Sequence, residues 1–163
     1  MSSQPFQPIK IRPYETTDAS ELTRLFHASV RTIAACDYTP SQIRAWAPDD
    51  IDAERFGQRC EAKSTWVAVV EGRIAGFSDL APDGHIDMLY VHPDFQRRGV
   101  ARALLEHVED AALGIGLRRL YAEASITARP VFEAMGFRTI VPQVVALRGE
   151  SMTNYRMEKR LES

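Results

Sequence analysis

The segment from Val91 to Leu105, Val-His-Pro-Asp-Phe-Gln-Arg-Arg-Gly-Val-Ala-Arg-Ala-Leu-Leu, constrains the fold more than any other, because it joins a strand end, a turn and a helix start. Upstream, His85 to His92 is a β-rich run bounded by Asp83-Gly84 and Pro93, which predicts a strand. Downstream, Val100, Leu104, Val108, Ala111 and Ile115 recur at helical spacing on one apolar face. Between them Gly99 lets the backbone approach a ligand, and Arg97 and Arg98 add positive charge beside the unpaired N–H groups that open any helix. The junction is therefore expected to hold an anion such as a phosphate.

A chain of 163 residues suits one domain, 1–163, with a core of its own. The net charge of -2 argues against a nucleic-acid partner, although Arg97-Arg98 and Arg118-Arg119 give locally basic patches. Only Cys36 and Cys60 are present, no leader pattern is seen and no apolar run is long enough to span a bilayer. These features predict a cytoplasmic protein without a disulfide framework, without membrane attachment and without a metal site. For Cys36 no catalytic His and acid flank it, so it is assigned no chemistry.

In chain order, residues 1–7 are expected to be loose and 9–12 to form a first strand. Asp18-Ala19-Ser20-Glu21 has capping-box spacing before Leu22, Leu25, Phe26 and Val30, which share a helical face. Thr39-Pro40-Ser41-Gln42 opens a second helix that Pro48 ends, and a third covers Ile51 to Cys60. The period then becomes that of strands: 64–70 and 73–80 across Glu71-Gly72, followed by the His85 strand in an antiparallel meander. After the long helix, Leu117 to Ala124 returns as a strand and creates one βαβ crossover. A short helix from Ala128 to Met135, a strand from Phe137 and a hairpin pairing 143–147 with 152–157 complete the chain.

Gly-x-Gly-x-x-Gly and Gly-Lys-Ser/Thr are both absent, which removes the dinucleotide and Walker phosphate loops. What remains is Leu89-Tyr90-Val91, then Pro93, the Gln96-x-x-Gly99-x-Ala101 turn, and Met135-Gly136-Phe137 closing a helix. Together these resemble the GNAT superfamily of acyl-CoA-dependent N-acetyltransferases over roughly residues 8–160. Tyr38, Trp46 and Thr153-Asn154-Tyr155 look most like its YafP-like bacterial branch. The resemblance implies an α/β (α+β) fold with a mixed, mostly antiparallel central sheet, one βαβ crossover and helices on both faces.

It also implies that the co-substrate is acetyl-CoA, with backbone N–H groups from Arg98 to Ala103 holding the pyrophosphate. Gln96, Arg97, Gly99, Val100, Ala101 and Arg102 belong to that cradle, and Leu89, Tyr90, Val91, Ser125 and Phe132 complete the cofactor-contacting set. The implied strand splay at Asp87 to Val91 leaves backbone groups free for pantetheine and the thioester carbonyl, where an N–H would stabilise the oxyanion. Acetyl is the default acyl group.

An attacking amine must be neutral, and an alkylamine has a pKa of about 10.4, so a base or a desolvating pocket is required. By the two-residue strand period His85, Asp87, Leu89 and Val91 share a face, which ranks His85 first as base, Asp87 second, and Glu123 on the next strand third. Each has a plainer alternative as a solvated strand residue, and a bulge would change the facing. Many relatives carry an Asn before Ala128 and a Tyr four residues after it to protonate the departing thiolate; here Ser125 and Phe132 occur. Tyr155, Tyr121 or a water then supplies the proton, or the thiolate leaves without one, a thiol pKa being near 8.5. Tyr38 and Trp46 are candidates for the acceptor wall, whereas Phe26 reads as core.

The first reading is therefore an N-acetyltransferase acting on a small-molecule or protein amine by direct attack in a ternary complex, as monomer or homodimer. The rival is a weakly catalytic acyl-CoA-binding or sensing module that kept the cradle and lost the acid. An interaction protein with no cofactor is a third.

Overall fold

The computed structural model describes residues 8–162, so the expectation for residues 1–7 lies outside the described residues. Two four-stranded sheets form, in the orders β1-β2-β3-β5 and β4-β6-β8-β7. The first contains β1 (Lys10–Pro13), β2 (Ser64–Val70), β3 (Arg73–Leu80) and β5 (Leu89–Val91), all antiparallel. The second contains β4 (His85–Ile86), β6 (Arg119–Ser125), β7 (Arg138–Leu147) and β8 (Glu150–Arg160). Only β4 and β6 run parallel, and α4 (Val100–Gly114) is the crossover between them. The expected βαβ unit is thus present in an otherwise antiparallel arrangement.

Helices cover both faces, and the strand alternation decides which residues meet which helix. Val67 and Phe77, cross-strand partners, face α1 (Ala19–Thr32), α2 (Pro40–Trp46) and α3 (Ala53–Glu61) in a core with Leu22, Phe26 and Phe56. Ala68, Val70 and Ala75 point the other way, onto Val100 and Leu104 of α4. Leu105, Val108 and Ala112 of the same helix turn toward the second sheet and α5 (Arg129–Ala134), packing with Leu120, Ala122, Phe132 and Met157. Gly76 sets the height of α4 over the first sheet: a Cβ there would lie 2.8 Å from Tyr90 O and 2.9 Å from Val100 Cγ1.

Three expectations are corrected. The run 85–92 is not one strand in a meander, because Asp87 and Met88 break it: β4 leaves to pair with β6, and only β5 stays on β3. His85, Asp87, Leu89 and Val91 consequently do not share one continuous strand face. Asp18 does not cap α1 with its side chain; its carboxylate accepts from Glu15 N (2.9 Å) and from both Arg12 Nη atoms (2.8 and 2.9 Å), closing a 3-10 turn at Thr16–Asp18. The arginine outcompetes the helix because a charge-assisted, bidentate pair is stronger than a cap. Finally, the separate strands expected after Phe137 are one ten-residue strand, β7, with a register shift between Thr139 and Val141 that leaves Ile140 as the extra residue. Thr39, by contrast, caps α2 as its spacing predicts, with Gln42 reciprocating.

Candidate active site

The site lies where the two sheets part. Among the described residues β5 has β3 on one side and no strand on the other, so its outer edge is open. His92 N donates to Ala75 O of β3 (2.8 Å), and strand alternation puts the Tyr90 N–H on that same side. The N–H groups of Leu89 and Val91 therefore point into the gap between β5 and β6.

A buried acid holds the gap open. Asp79, fully buried at the end of β3, accepts through Oδ1 from Asp87 N (2.8 Å) and Met88 N (3.1 Å), the two residues at the break. Its Oδ2 accepts from Lys63 Nζ (2.9 Å), which also bonds Asp87 Oδ2 (2.7 Å), and Arg59 donates to that Asp87 oxygen through Nη2 (2.7 Å). Burial pushes the Asp79 carboxyl upward against the pull of Lys63. Burial acts on Asp87 too, but its bonds to Lys63 and Arg59 prevail and hold it below the usual carboxylate range.

A cavity of about 400 Å³ opens on the side of α4. Leu89, Tyr90 and Val91, then Gln96, Arg97, Gly99, Val100, Ala101 and Arg102 line it, with Ser125 and Ala128 across the gap. Gly99 sits at φ +79, the left-handed region that disfavours side chains, and provides no side-chain cap. The first helical bond of α4 runs from Ala103 N to Gly99 O (3.0 Å). Ala103 is thus already engaged by the helix, and the N–H groups of Val100, Ala101 and Arg102 precede that bond and face the cavity. A Cβ on Gly99 would meet no protein atom within 4 Å, so the space beside it is open. A pyrophosphate fits these convergent donors and the helix dipole. The Arg98 guanidinium lies over the Phe95 ring (5.6 Å), and Arg102 pairs with Glu106.

A second cavity, of about 440 Å³, lies on the opposite side of the splay. Trp46, Leu89, Tyr90, Ser125 and Ala128 line both, so the two meet at β5 and the start of α5. Its apolar wall includes Phe26, Trp46, Phe56, Leu147 and Met152, and its polar groups include Asp87, Glu123, Thr153 and Asn154. The β7–β8 hairpin is tied over it by α2: Gln42 Nε2 donates to Ser151 O (2.8 Å) and Arg148 Nη1 to Ala45 O (2.5 Å). Tyr38 donates to Thr153 O (2.8 Å) and accepts from Ile126 N (2.9 Å), stapling the helical side to both β8 and the loop after β6. Burial pushes the Tyr90 phenol up to about 12, and Trp46 hydrogen bonds it.

The candidates for base divide. Glu123 lines the second cavity, and His85 Nε2 reaches its Oε2 at 2.5 Å while the imidazole stacks on Tyr121 (4.8 Å). His85 is therefore one layer behind Glu123, outside the cavity lining. Asp87 lines the cavity but carries two cations. Tyr155 lies under Arg129 (4.2 Å) and packs in the α5 core, and Tyr121 donates to Asp83, so neither reaches either cavity. Phe132 stacks edge-on with Phe137 and borders the second cavity, not the α4 side.

Sequence reasoning did not find Asp79, Lys63 and Arg59. A polar Ser78-Asp79 pair closing an otherwise apolar strand was the available signal, but its partners are set by tertiary contact. Ser29 of α1 and Ile33 just after it, which line the first cavity, carried no signal beyond helical periodicity. Among the described residues, no helix is long and apolar enough to cross a membrane and no cluster of three or more His, Cys, Asp or Glu stands ready for a metal.

Similarity to known proteins shows the family and the fold. The family profile described as Acetyltransferase (GNAT) domain matches residues 34–159. The chain is similar to "Uncharacterized N-acetyltransferase YafP" of Escherichia coli K12, 38% identical over 149 residues that cover 91% of this chain and 94% of that protein. Among solved structures it is similar to one from Rhodopseudomonas palustris described as "GCN5-Related N-acetyltransferase: Aminotransferase, Class-II". That similarity has a TM-score of 0.92 and 33% identity, covering 98% of this chain and all (100%) of that one. The yncA acetyltransferase of Salmonella typhimurium, solved with its cofactor acetyl-CoA, shares the fold at a TM-score of 0.72 and 21% identity, with 94% of each chain covered.

Proposed function

This chain belongs to the GNAT family of acetyl-CoA-dependent N-acetyltransferases, and from that premise we propose that it acetylates a primary amine by direct attack in a ternary complex, with Glu123 as general base. The thioester supplies an already activated acyl group, so no enzyme nucleophile is needed. The N–H groups of Val100, Ala101 and Arg102 hold the pyrophosphate, and those of Leu89 and Val91 receive the pantetheine amides and the carbonyl oxygen. Charge that develops on that oxygen is met by a donor already in place. The two cavities meeting at Leu89 and Ser125 bring amine and thioester together, which accounts for much of the rate.

The observation that carries the reading is the position of Glu123. It is the one base candidate that both lines the acceptor-side cavity and has no arginine or lysine on it. Arg156, its register partner on β8, leans instead over Tyr121 (5.7 Å) and toward Glu158 (3.9 Å). His85 orients the carboxylate and gives the proton a route outward. With Phe132 unable to donate, the departing thiolate is released unprotonated or takes a proton from water, which a thiol pKa near 8.5 tolerates.

The test is thiol release from acetyl-CoA with a panel of primary amines, compared for wild type and Glu123→Gln. The variant should lose about 100-fold in kcat, the ordinary scale of general-base catalysis, with KM for acetyl-CoA unchanged. Equal kcat in the two proteins, or thiol release that no amine accelerates, refutes the assignment.

A further inference from the structure

One polar atom in the acceptor-side cavity lacks a partner. Asn154 Oδ1 is buried and makes no hydrogen bond among the described residues, although Asn154 lines the cavity. An interior carbonyl left so costs about 1–3 kcal/mol, and most buried polar atoms are paired. The other such atoms, Tyr14 Oη and Thr139 Oγ1, lie outside this cavity.

Register places the orphan beside the base. Asn154 of β8 pairs with Ser125 of β6, and Glu123 pairs with Arg156, so Asn154 and Glu123 are diagonal neighbours on one sheet face. Such neighbours stand about 7–8 Å apart at Cα, with side chains able to converge on a shared ligand. His85 engages only Oε2 of Glu123, leaving Oε1 without a bond among the described residues. Two residues lining the cavity therefore each carry an acceptor oxygen without a bond among the described residues, one of them anionic, and the group that satisfies both is one that only donates.

We propose that Asn154 Oδ1 is the second docking oxygen for the acceptor's ammonium, making the site select an ammonium with at least two N–H bonds carried on an apolar or aromatic body. This rests on the assignment of Glu123 as base. One N–H bonds Glu123 Oε1 and a second bonds Asn154. When Glu123 takes the first proton, the freed lone pair lies where that N–H was, and rotation of the amine about its bond to Asn154 turns it toward the thioester carbon. The C–N bond then forms, the nitrogen gives up its second proton to water, the C–S bond breaks, and its electron pair leaves on sulfur. An alcohol has one O–H and satisfies one oxygen only, so it is rejected. Phe26, Trp46, Phe56, Leu147 and Met152 receive the apolar body.

The experiment titrates the CoA-saturated full-length protein with 2-phenylethylamine and with its N,N-dimethyl analogue, whose ammonium keeps a single N–H. Wild type should bind the primary amine about tenfold more tightly, which corresponds to about 1.4 kcal/mol. Asn154→Leu should erase that preference by weakening the primary amine, while Asn154→Asp, which keeps an acceptor oxygen, should retain it. CoA affinity should be the same in all three. Wild type binding both amines equally or not at all, or Asn154→Leu keeping the preference, overturns the proposal. If Asn154→Leu fails to fold, the wild-type preference and its retention in Asn154→Asp decide. Weaker amine binding in Glu123→Gln with none in Asn154→Leu sinks this inference alone; no change in either sinks the assignment of Glu123 as well.

Discussion

Replacing Asp79 by Ala tests whether the splay is held by one carboxylate. Asp79 is 0% exposed and accepts three hydrogen bonds, from Asp87 N, Met88 N and Lys63 Nζ. Ala removes the acceptor from two backbone donors, each worth about 1–3 kcal/mol when stranded. It also breaks a buried ion pair, an event that typically costs about 3–5 kcal/mol. The two figures count the same carboxylate, so about 3–5 kcal/mol is expected in all, toward the lower end because Lys63 retains Asp87. At about 2–4 °C per kcal/mol for a chain of this size, the melting temperature should fall by about 6–20 °C. Asp79→Asn keeps an oxygen for the two N–H groups and loses only the charge, so its fall should be clearly smaller. Circular dichroism melts give the stability, and calorimetry with CoA gives the function, since an unpinned 87–88 break moves Leu89 and Val91. Lys63→Met should cost a similar amount, and the double variant less than the sum, because the two side chains act as one unit. A melting temperature within about 2 °C of wild type for Asp79→Ala would refute the reasoning.

Gly99→Val should cost about 1–2 kcal/mol of apo stability for φ +79 and abolish the thermal shift that CoA gives; a retained shift would mean that the cradle lies elsewhere. The Arg12–Asp18 pair predicts an acid sensitivity of known sign. The Arg12 hydrogen bonds, the largest influence, hold the Asp18 carboxyl below its ordinary value against some burial. Its folded pKa is thus below the unfolded one, near 3.9, so the stabilisation is complete well above pH 4 and is lost as pH falls through the folded value. Melting curves of wild type and Asp18→Ala between pH 7 and pH 3 should converge at the acid end, and a gap that stays constant would contradict the sign.

Much of the cradle was legible because its function is written in backbone. Gly99 demands a left-handed residue, and the apolar period from Val100 fixes the helix and hence which N–H groups open it. Such local chemistry needs no partner from far along the chain. The choice among His85, Asp87 and Glu123 was not local. The strand period put His85 and Asp87 on a face with Leu89, and it failed because Asp79, eight residues before Asp87, draws two amides out of the ladder. Phe132 shows the same limit, since sequence gave its neighbours in α5 but not that it borders the acceptor side.

By itself the sequence determined the order of most elements and the glycine turn that opens α4, since periodicity, capping and glycine conformation act over a few residues; the kind of co-substrate came with the family resemblance that those residues carry. Tertiary structure alone decided that Glu123 lines the second cavity without a cation among the described residues, which carboxylates are neutralised by Arg59 and Lys63, and that Asn154 stands beside Glu123. The reason is that an ionisable group takes its role from the charges and open space around it, and these arrive from strands and helices as many as dozens of positions away.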